Sequence, residues 1–326
     1  MAEDKRDNRF VSTVREIGYD TLLTAGVLIK VTVPVVIVTK ILEELGVIVY
    51  LSRAIEPIME LMGLPGELGL VWATGMITSL YGALAVFAAL APGLDLTAAQ
   101  VTVLGCIMLV AHSLPVEMSI TRKAGAGLLS IGAIRIFGAM LFGVLLYRLL
   151  SFTALWQEPA HVYFQSGGEE KTMMQWAIAQ VSNLLFIFFV IFLILTAMRL
   201  LKMIGFLSFL ERLLKPVLPF FGMSHRAAPV TVVGMIVGLA YGGALIIRET
   251  TKGVMNRREI FNSLALMSLS HALVEDTLLM LAIGAKLGGI LWGRLLFSLL
   301  ALFLIARLVD MLYPEWGNEE TCDTVT

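Results

Sequence analysis

Charged residues are scarce in this chain. Asp, Glu, Lys and Arg make up 15% of the 326 residues, whereas a soluble domain averages about a quarter. Hydrophobic residues make up 58%, and the mean hydropathy is +0.87. The scarcity of charge excludes an ordinary soluble domain and predicts an integral membrane protein. The formal net charge of −1 gives no reason to expect a nucleic acid as partner.

The sequence also has few cysteines and none of the common nucleotide-binding motifs. The two cysteines, Cys106 in an apolar run and Cys322 in the acidic tail, predict no disulfide. The sequence has no C-x-x-C, P-loop or G-x-G-x-x-G pattern, so we expect no cofactor, no assigned metal ligand and no ATP-driven step. Residues 1–8 are charged and unlike a cleavable signal peptide, so the first apolar segment is expected to be an anchor.

The sequence is internally duplicated. Residues 175–313, moved back by 159 positions, fall on residues 16–154 without a gap. The aligned residues include glycines, prolines, histidines and basic residues, among them Gly46 with Gly205, Pro57 with Pro216, His112 with His271, and Arg135 with Arg294. In a membrane chain, such duplication is typical of transporters.

Hydropathy indicates eight apolar segments, at 19–45, 68–91, 98–121, 127–150, 176–201, 229–247, 260–285 and 288–312. Gly46–Gly63 and Gly205–Gly222 mix charged and apolar residues, and we expect an amphipathic interfacial helix containing one proline in each. If all eight segments cross, Lys and Arg divide evenly between the two faces. If 68–91 and 229–247 are re-entrant hairpins, the basic residues lie mainly on the cytoplasmic face, with loop 92–97 outside and loop 248–258 inside.

The predicted fold is therefore an all-α integral membrane protein built as an inverted repeat. Each unit has three transmembrane helices, an amphipathic helix and a re-entrant helical hairpin; the alternative is plain helices with small-residue packing faces. Both termini are expected in the cytoplasm of a bacterial cell, with the chain in the inner membrane. The predicted parts are a cytoplasmic tail (1–18), repeat 1 (19–151), an extracytoplasmic connection (152–174), inverted repeat 2 (175–313) and an acidic tail (314–326).

Ionisable residues follow each hairpin. Pro115 predicts that the first of these helices breaks near His112. The second copy has no proline, so His271 and Glu275, four residues apart, are expected to share one helical face. If the second repeat is inverted relative to the first, both segments cross the membrane near the centre of the molecule. The predicted site there contains His112, Glu117, His271, Glu275 and Asp276.

Three roles remain open for these residues: a proton-coupled transport step, divalent-cation binding, or hydrogen bonds that hold the helices together. Arg135 and Arg294 form a second matched pair. They are expected to neutralise these carboxylates or to shield a helix C-terminus, rather than to bind substrate.

The stretches Gly75–Gly82 and Gly234–Gly243, each in a small-residue hairpin, resemble the Gate, or nucleoside-recognition, domain. This domain occurs in concentrative nucleoside transporters, B-type ferrous-iron permeases and spore maturation proteins A and B. The resemblance implies a two-hairpin, inverted-repeat transporter core. The hairpin tips are then expected to contribute to the site through Ser79, Tyr81, Gly82, Gly238, Tyr241 and Gly242.

The predicted function is a secondary transporter or permease for a small solute, with no enzymatic activity. Its expected partners are the lipid bilayer, a small solute or ion, and further copies of the chain. The alternatives are a non-transporting scaffold of the spore-maturation type, a divalent metal permease, and an intramembrane metalloenzyme built on His271 and Glu275.

Overall fold

A computed structural model describes residues 30, 33–35, 37–42, 44–161, 172–221, 223–224, 227–251, 255–313 and 315. Its helices are α1 (Val47–Leu61), α2 (Leu68–Ile77), α3 (Leu80–Leu90), α4 (Ala98–Val110), α5 (Leu114–Lys123), α6 (Leu128–Thr153), α7 (Met173–Met203), α8 (Phe206–Leu214), α9 (Ala227–Val237), α10 (Leu239–Thr251), α11 (Arg257–Leu269), α12 (Glu275–Ala282) and α13 (Arg294–Leu312). A π-helical turn, Gly288–Gly293, leads into α13. Within these residues the only extended pairing is an isolated bridge between Thr97 and Pro159.

Among the described residues, four helical stretches are long and apolar enough to cross a membrane: Ala98–Lys123, Leu128–Thr153, Met174–Met203 and Gly288–Leu312. They match four of the six predicted crossings. The crossing predicted at 19–45 falls largely outside the described residues, although residues 33–35 and 37–42 are helical. Apolar side chains such as Leu129 (90% exposed) and Phe152 (91%) point away from the protein, as expected of a lipid-facing surface.

The segments predicted as hairpins each consist of two short helices that pack together. Helices α2 and α3 are separated at Thr78 and Ser79, and a Cβ atom on Gly75 would lie 3.1 Å from the Cβ of Ala83. In one straight helix, residues eight apart lie about 12 Å apart along the axis, so the chain folds back. Helices α9 and α10 turn at Gly238, whose φ of +120° suits glycine.

The predicted amphipathic helices form, but only one contains its proline. Pro57 lies inside α1, whereas α8 ends at Leu214, so the prediction that Pro216 lies inside the second helix is wrong. The physical reason is that Pro216 has no backbone N–H to continue the helical hydrogen bonds, so α8 ends before it although Lys215 still has helical backbone angles. A short 3-10 turn, Leu218–Phe221, follows instead.

Equivalent positions in the two halves adopt matching local structures. Both α4 and α11 begin with a capping box, formed by Thr97 and Gln100 in the first half and by Asn256 and Glu259 in the second. Thr97 is 159 positions from Asn256, and Gln100 is 159 positions from Glu259, which is the offset found in the sequence. Residues with left-handed backbone also match, namely Gly46 with Gly205, Ser113 with Ala272, and Gly125 with Gly284.

The segment 260–285 is not one continuous helix. It is divided into α11 and α12 by residues 270–274, just as α4 and α5 are divided by residues 111–113. The break near His112 is confirmed, whereas the prediction that the second copy is unbroken is wrong. The second break needs no proline, because Leu273 N donates to Met235 O of α9 at 2.9 Å and Arg294 caps the end of α11.

Candidate functional site

The two helix breaks bring His112 and His271 together in the interior. His112 follows α4 and is 5% exposed, and His271 follows α11 and is 3% exposed. Their Nε2 atoms lie 3.2 Å apart, and their ring centroids are 4.9 Å apart. The pair therefore joins the two halves of the chain at one buried point.

Glu117, on the first turn of α5, completes a compact group with the two histidines. Its Oε1 atom lies 3.4 Å from His112 Nε2 and 3.3 Å from His271 Nε2. One ligand-type atom from each of the three residues lies within 4.8 Å of the others. We call His112, Glu117 and His271 the central triad.

Backbone carbonyl groups determine how the two imidazoles are oriented. Nδ1 of His112 lies 2.9 Å from Met108 O, and Nδ1 of His271 lies 2.8 Å from Met267 O. Because a carbonyl oxygen only accepts, each Nδ1 carries the hydrogen and donates it. In the neutral rings, both Nε2 atoms therefore present lone pairs to Glu117.

Arg135 holds the first half of the site. This fully buried side chain donates from Nε to Val110 O at 3.0 Å, from Nη2 to His112 O at 2.9 Å, and from Nη1 to Glu117 Oε2. It thus caps the open carbonyl end of α4 and neutralises a carboxylate, as the sequence predicts. Oε1 of Glu117 remains directed at the histidines.

Arg294 repeats only part of this pattern in the second half. It donates from Nε to Leu269 O at 3.0 Å and from Nη2 to His271 O at 2.7 Å, which caps α11. Among the described residues, its Nη1 has no hydrogen-bond partner, and neither has Oδ2 of Asp276. Asp276, at the position equivalent to Glu117, lies with Oδ2 3.8 Å from His112 Nε2.

Glu275 lies apart from the central triad. Its Oε1 accepts a hydrogen bond from the Tyr81 hydroxyl of α3 at 3.3 Å, which links the first hairpin to the second half. The prediction that His271 and Glu275 share a helical face is wrong, because the chain breaks between them and α12 begins at Glu275. The pairing expected for a metalloenzyme is therefore not formed by these two residues.

The other hairpin residues of the predicted site support the backbone. Ser79 Oγ accepts from Gly82 N at 3.2 Å and caps α3, and Gly238 forms the turn between α9 and α10. A Cβ atom on Gly242 would collide with the Gly234 backbone, so glycine is required by the close packing of α9 and α10. The backbone of Tyr241 is helical, but its side chain lies outside the described residues.

A cavity of about 770 Å³ lies elsewhere, at one end of the molecule. Its lining includes the Gly125–Gly127 turn, Arg257 and Tyr313, and contains none of the predicted site residues. We place the candidate site at the central triad because the converging ionisable groups, rather than the size of the cavity, indicate chemistry.

Sequence reasoning identified all three triad residues but missed the carbonyl groups of Met108 and Met267 that orient the rings. Every residue has a backbone carbonyl group, so the residue type does not reveal which carbonyl groups accept these hydrogen bonds. The equivalence of Glu117 and Asp276 was also missed, although the offset of 159 contains it.

Comparisons with known proteins agree with the membrane character of the chain. The family model described as Gate, nucleoside recognition, matches residues 25–126. The uncharacterized membrane protein YvoD of Bacillus subtilis (strain 168) is 24% identical over 308 residues, which cover 92% of this chain and 93% of the relative. No solved structure matches the chain significantly. The family match confirms the resemblance over the first half, from before α1 to the end of α5.

Proposed function

We propose that this membrane chain, whose residues 25–126 match the nucleoside-recognition model, is a permease that carries a small solute across the bacterial inner membrane. One observation carries the proposal: residues from both halves meet in a buried group of ionisable side chains next to two helix breaks. Ionisable groups at membrane depth are costly and usually serve transport. Broken helices at the interface of two repeats are the usual place for a transported solute.

The proposed topology has six crossings and two re-entrant hairpins, so that the second repeat is inverted. Contacts at one end of the molecule support it. Ala98 N donates to Glu158 O at 2.9 Å, and Lys286 Nζ pairs with Glu158 Oε1 at 2.8 Å. The Lys286 ammonium, by this hydrogen bond, lowers the pKa of the exposed Glu158 carboxyl below its ordinary value. If both hairpin segments crossed the membrane, residue 286 would lie on the opposite face from residues 98 and 158.

Contacts at the other end agree with the same topology. The turn at residues 125–127 lines one cavity with Arg257 and Tyr313. Helix α6 lies between this turn and Glu158, and its 26 residues span about 39 Å. The six-crossing arrangement puts residues 125–127, 257 and 313 on the cytoplasmic face together, whereas eight crossings would separate residue 125 from the other two.

Solute binding at the triad would couple the two halves. His112 and Glu117 come from the first half and His271 from the second, so a relative movement of the halves opens or closes the site. Tyr81 and Glu275 provide a second link between the halves. Alternating access of this kind requires no chemical step in the protein, and the proposal includes no enzymatic activity.

Uptake into proteoliposomes tests the proposal. The probes are radiolabelled uridine, radiolabelled succinate and Zn²⁺ with an enclosed indicator, each with and without a pH gradient. We expect one probe to enter faster than into protein-free vesicles, and a flux at least about tenfold lower in His112→Ala and His271→Ala. Gly93→Ala is the matched control, because a Cβ atom there would contact nothing within 4 Å among the described residues. Stimulation by the gradient would support proton coupling.

Two results would contradict the proposal in different ways. Equal flux in the wild type and both histidine variants would remove the assignment of the site. No flux of any probe above that of protein-free vesicles would overturn permease function for these solute classes and favour the scaffold role.

A further inference from the structure

The central triad places three hydrogen-bond acceptors face to face. Both Nδ1 hydrogens are engaged by the carbonyl groups of Met108 and Met267, so the two Nε2 atoms of the neutral rings offer only lone pairs. The third atom, Oε1 of Glu117, is a carboxylate oxygen that also only accepts. Three such atoms in contact repel one another unless a cation lies among them.

The spacing of the three atoms suits a metal ion better than a shared proton. A proton joins two atoms in line, and good hydrogen bonds of this kind span about 2.7–3.2 Å. The three separations are 3.2, 3.3 and 3.4 Å, nearly equal and mostly longer than that range. In a tetrahedral site with metal–ligand bonds of about 2.0–2.1 Å, the ligand atoms are about 3.3 Å apart. The triad therefore has the size of one face of a tetrahedral metal site.

Neighbouring groups support such a site. Oδ2 of Asp276 lies 3.8 Å from His112 Nε2 and is buried without a hydrogen-bond partner among the described residues, but it is outside the group of ligand atoms that all lie within 4.8 Å of one another. Arg135 holds Oε2 of Glu117 and leaves Oε1 free to coordinate. The carbonyl groups that accept from the two Nδ1 atoms are the outer-shell partners that metal-binding histidines usually have.

The charges around the triad are compatible with a dication. When ionised, Glu117, Asp276 and Glu275 carry three negative charges, against two positive charges on Arg135 and Arg294. Both guanidinium groups are directed at the carbonyl ends of α4 and α11, and each makes two hydrogen bonds there. Two imidazoles and carboxylate oxygens favour a zinc-type transition metal over Mg²⁺ or Ca²⁺, which prefer oxygen ligands alone.

We propose that His112, Glu117 and His271 bind one divalent transition-metal ion in tetrahedral geometry, with the fourth position open. Two ligands come from the first half of the chain and one from the second, so the site forms only when the halves are together. The ion is then the cargo of the permease, and this last step rests on the proposed function.

Metal titration of the purified full-length protein tests the binding site. The protein, stripped with a chelator, is titrated with Co²⁺ by visible spectroscopy and with Zn²⁺ by calorimetry. We expect one ion per chain and the intense visible bands of tetrahedral Co²⁺. His112→Ala and His271→Ala should each lose about 100-fold or more in affinity, and Arg135→Gln, which changes the outer shell, about 10- to 100-fold. His161→Ala, which removes an exposed histidine, is the matched control and should bind as the wild type does.

Circular dichroism of each variant shows whether it is folded, and His271→Gln replaces His271→Ala if the alanine variant is not. The absence of a Co²⁺ or Zn²⁺ site in the wild type, or a site that disappears in His161→Ala, would overturn the proposal. Metal binding without Zn²⁺ flux into proteoliposomes would keep the site but overturn its role as cargo. Uptake of uridine or succinate by metal-stripped protein would keep the permease and also overturn the cargo role.

Discussion

Glu117 and Asp276 occupy equivalent positions in the two halves, yet only Glu117 reaches its arginine. The Glu117 carboxylate pairs with Arg135, whereas neither Asp276 Oδ2 nor Arg294 Nη1 has a hydrogen-bond partner in the part of the chain that the structure describes. Aspartate is one methylene shorter than glutamate. This difference breaks the symmetry of the site at a buried point, where an unpaired polar group is costly.

Exchanging these two side chains should have opposite effects on stability. Asp276→Glu extends the carboxylate towards Arg294, and we expect the free energy of unfolding to rise by about 1–2 kcal/mol from a charged hydrogen bond. Glu117→Asp should lower it by about 3–5 kcal/mol, because it leaves a buried guanidinium unpaired. Unfolding of chelator-treated protein in mixed micelles measures both. A loss of stability in both variants would contradict the explanation based on side-chain length.

The two arginines should differ in the same way. Arg135→Gln removes one partner of a buried ion pair, and we expect a loss of about 3–5 kcal/mol in the free energy of unfolding. Arg294→Gln removes two hydrogen bonds to carbonyl groups without breaking such a pair, so the loss should be smaller, about 1–3 kcal/mol. The same mixed-micelle titration compares them. Equal losses would show that capping, and not the ion pair, accounts for the effect of Arg135.

Gly242→Ala should weaken the packing of α9 against α10. The added Cβ atom would collide with the Gly234 backbone, which cannot move aside as a flexible side chain does. We expect a loss of about 1–3 kcal/mol, more than the helix propensity of about 1 kcal/mol that alanine adds. Gly93→Ala is the control and should change the free energy of unfolding by less than about 0.5 kcal/mol. An unchanged Gly242→Ala protein would mean that the two helices are not closely packed in the membrane.

Cysteine labelling distinguishes the two topologies. In a background with Cys106→Ala and Cys322→Ser, a membrane-impermeant maleimide should label Asp95→Cys and Glu158→Cys in intact cells. Lys123→Cys and Arg257→Cys should react only after permeabilisation. All four positions are exposed on the protein surface, so access depends on the membrane. Labelling of Lys123→Cys in intact cells together with protection of Asp95→Cys would favour eight crossings.

Local patterns predicted several features correctly because their causes are local. Pro115 predicts the break near His112, since proline removes a donor and crowds the preceding turn. The small residues around Gly238 predict a turn there, since glycine tolerates positive φ. Pro216 and His271 show the limit of this reasoning: the first lies beyond α8, and the second stands at a break that has no proline.

The sequence by itself determined the membrane class, the duplication and the identity of the buried ionisable residues, because hydropathy and a constant offset are properties of residue order. Only the tertiary structure decided which of those residues meet. It separated Glu275 from the triad, joined Glu117 to both histidines and directed both Nε2 atoms inwards. These outcomes depend on contacts between residues distant in the chain, such as Tyr81 with Glu275 and Leu273 with Met235, which no local spacing encodes.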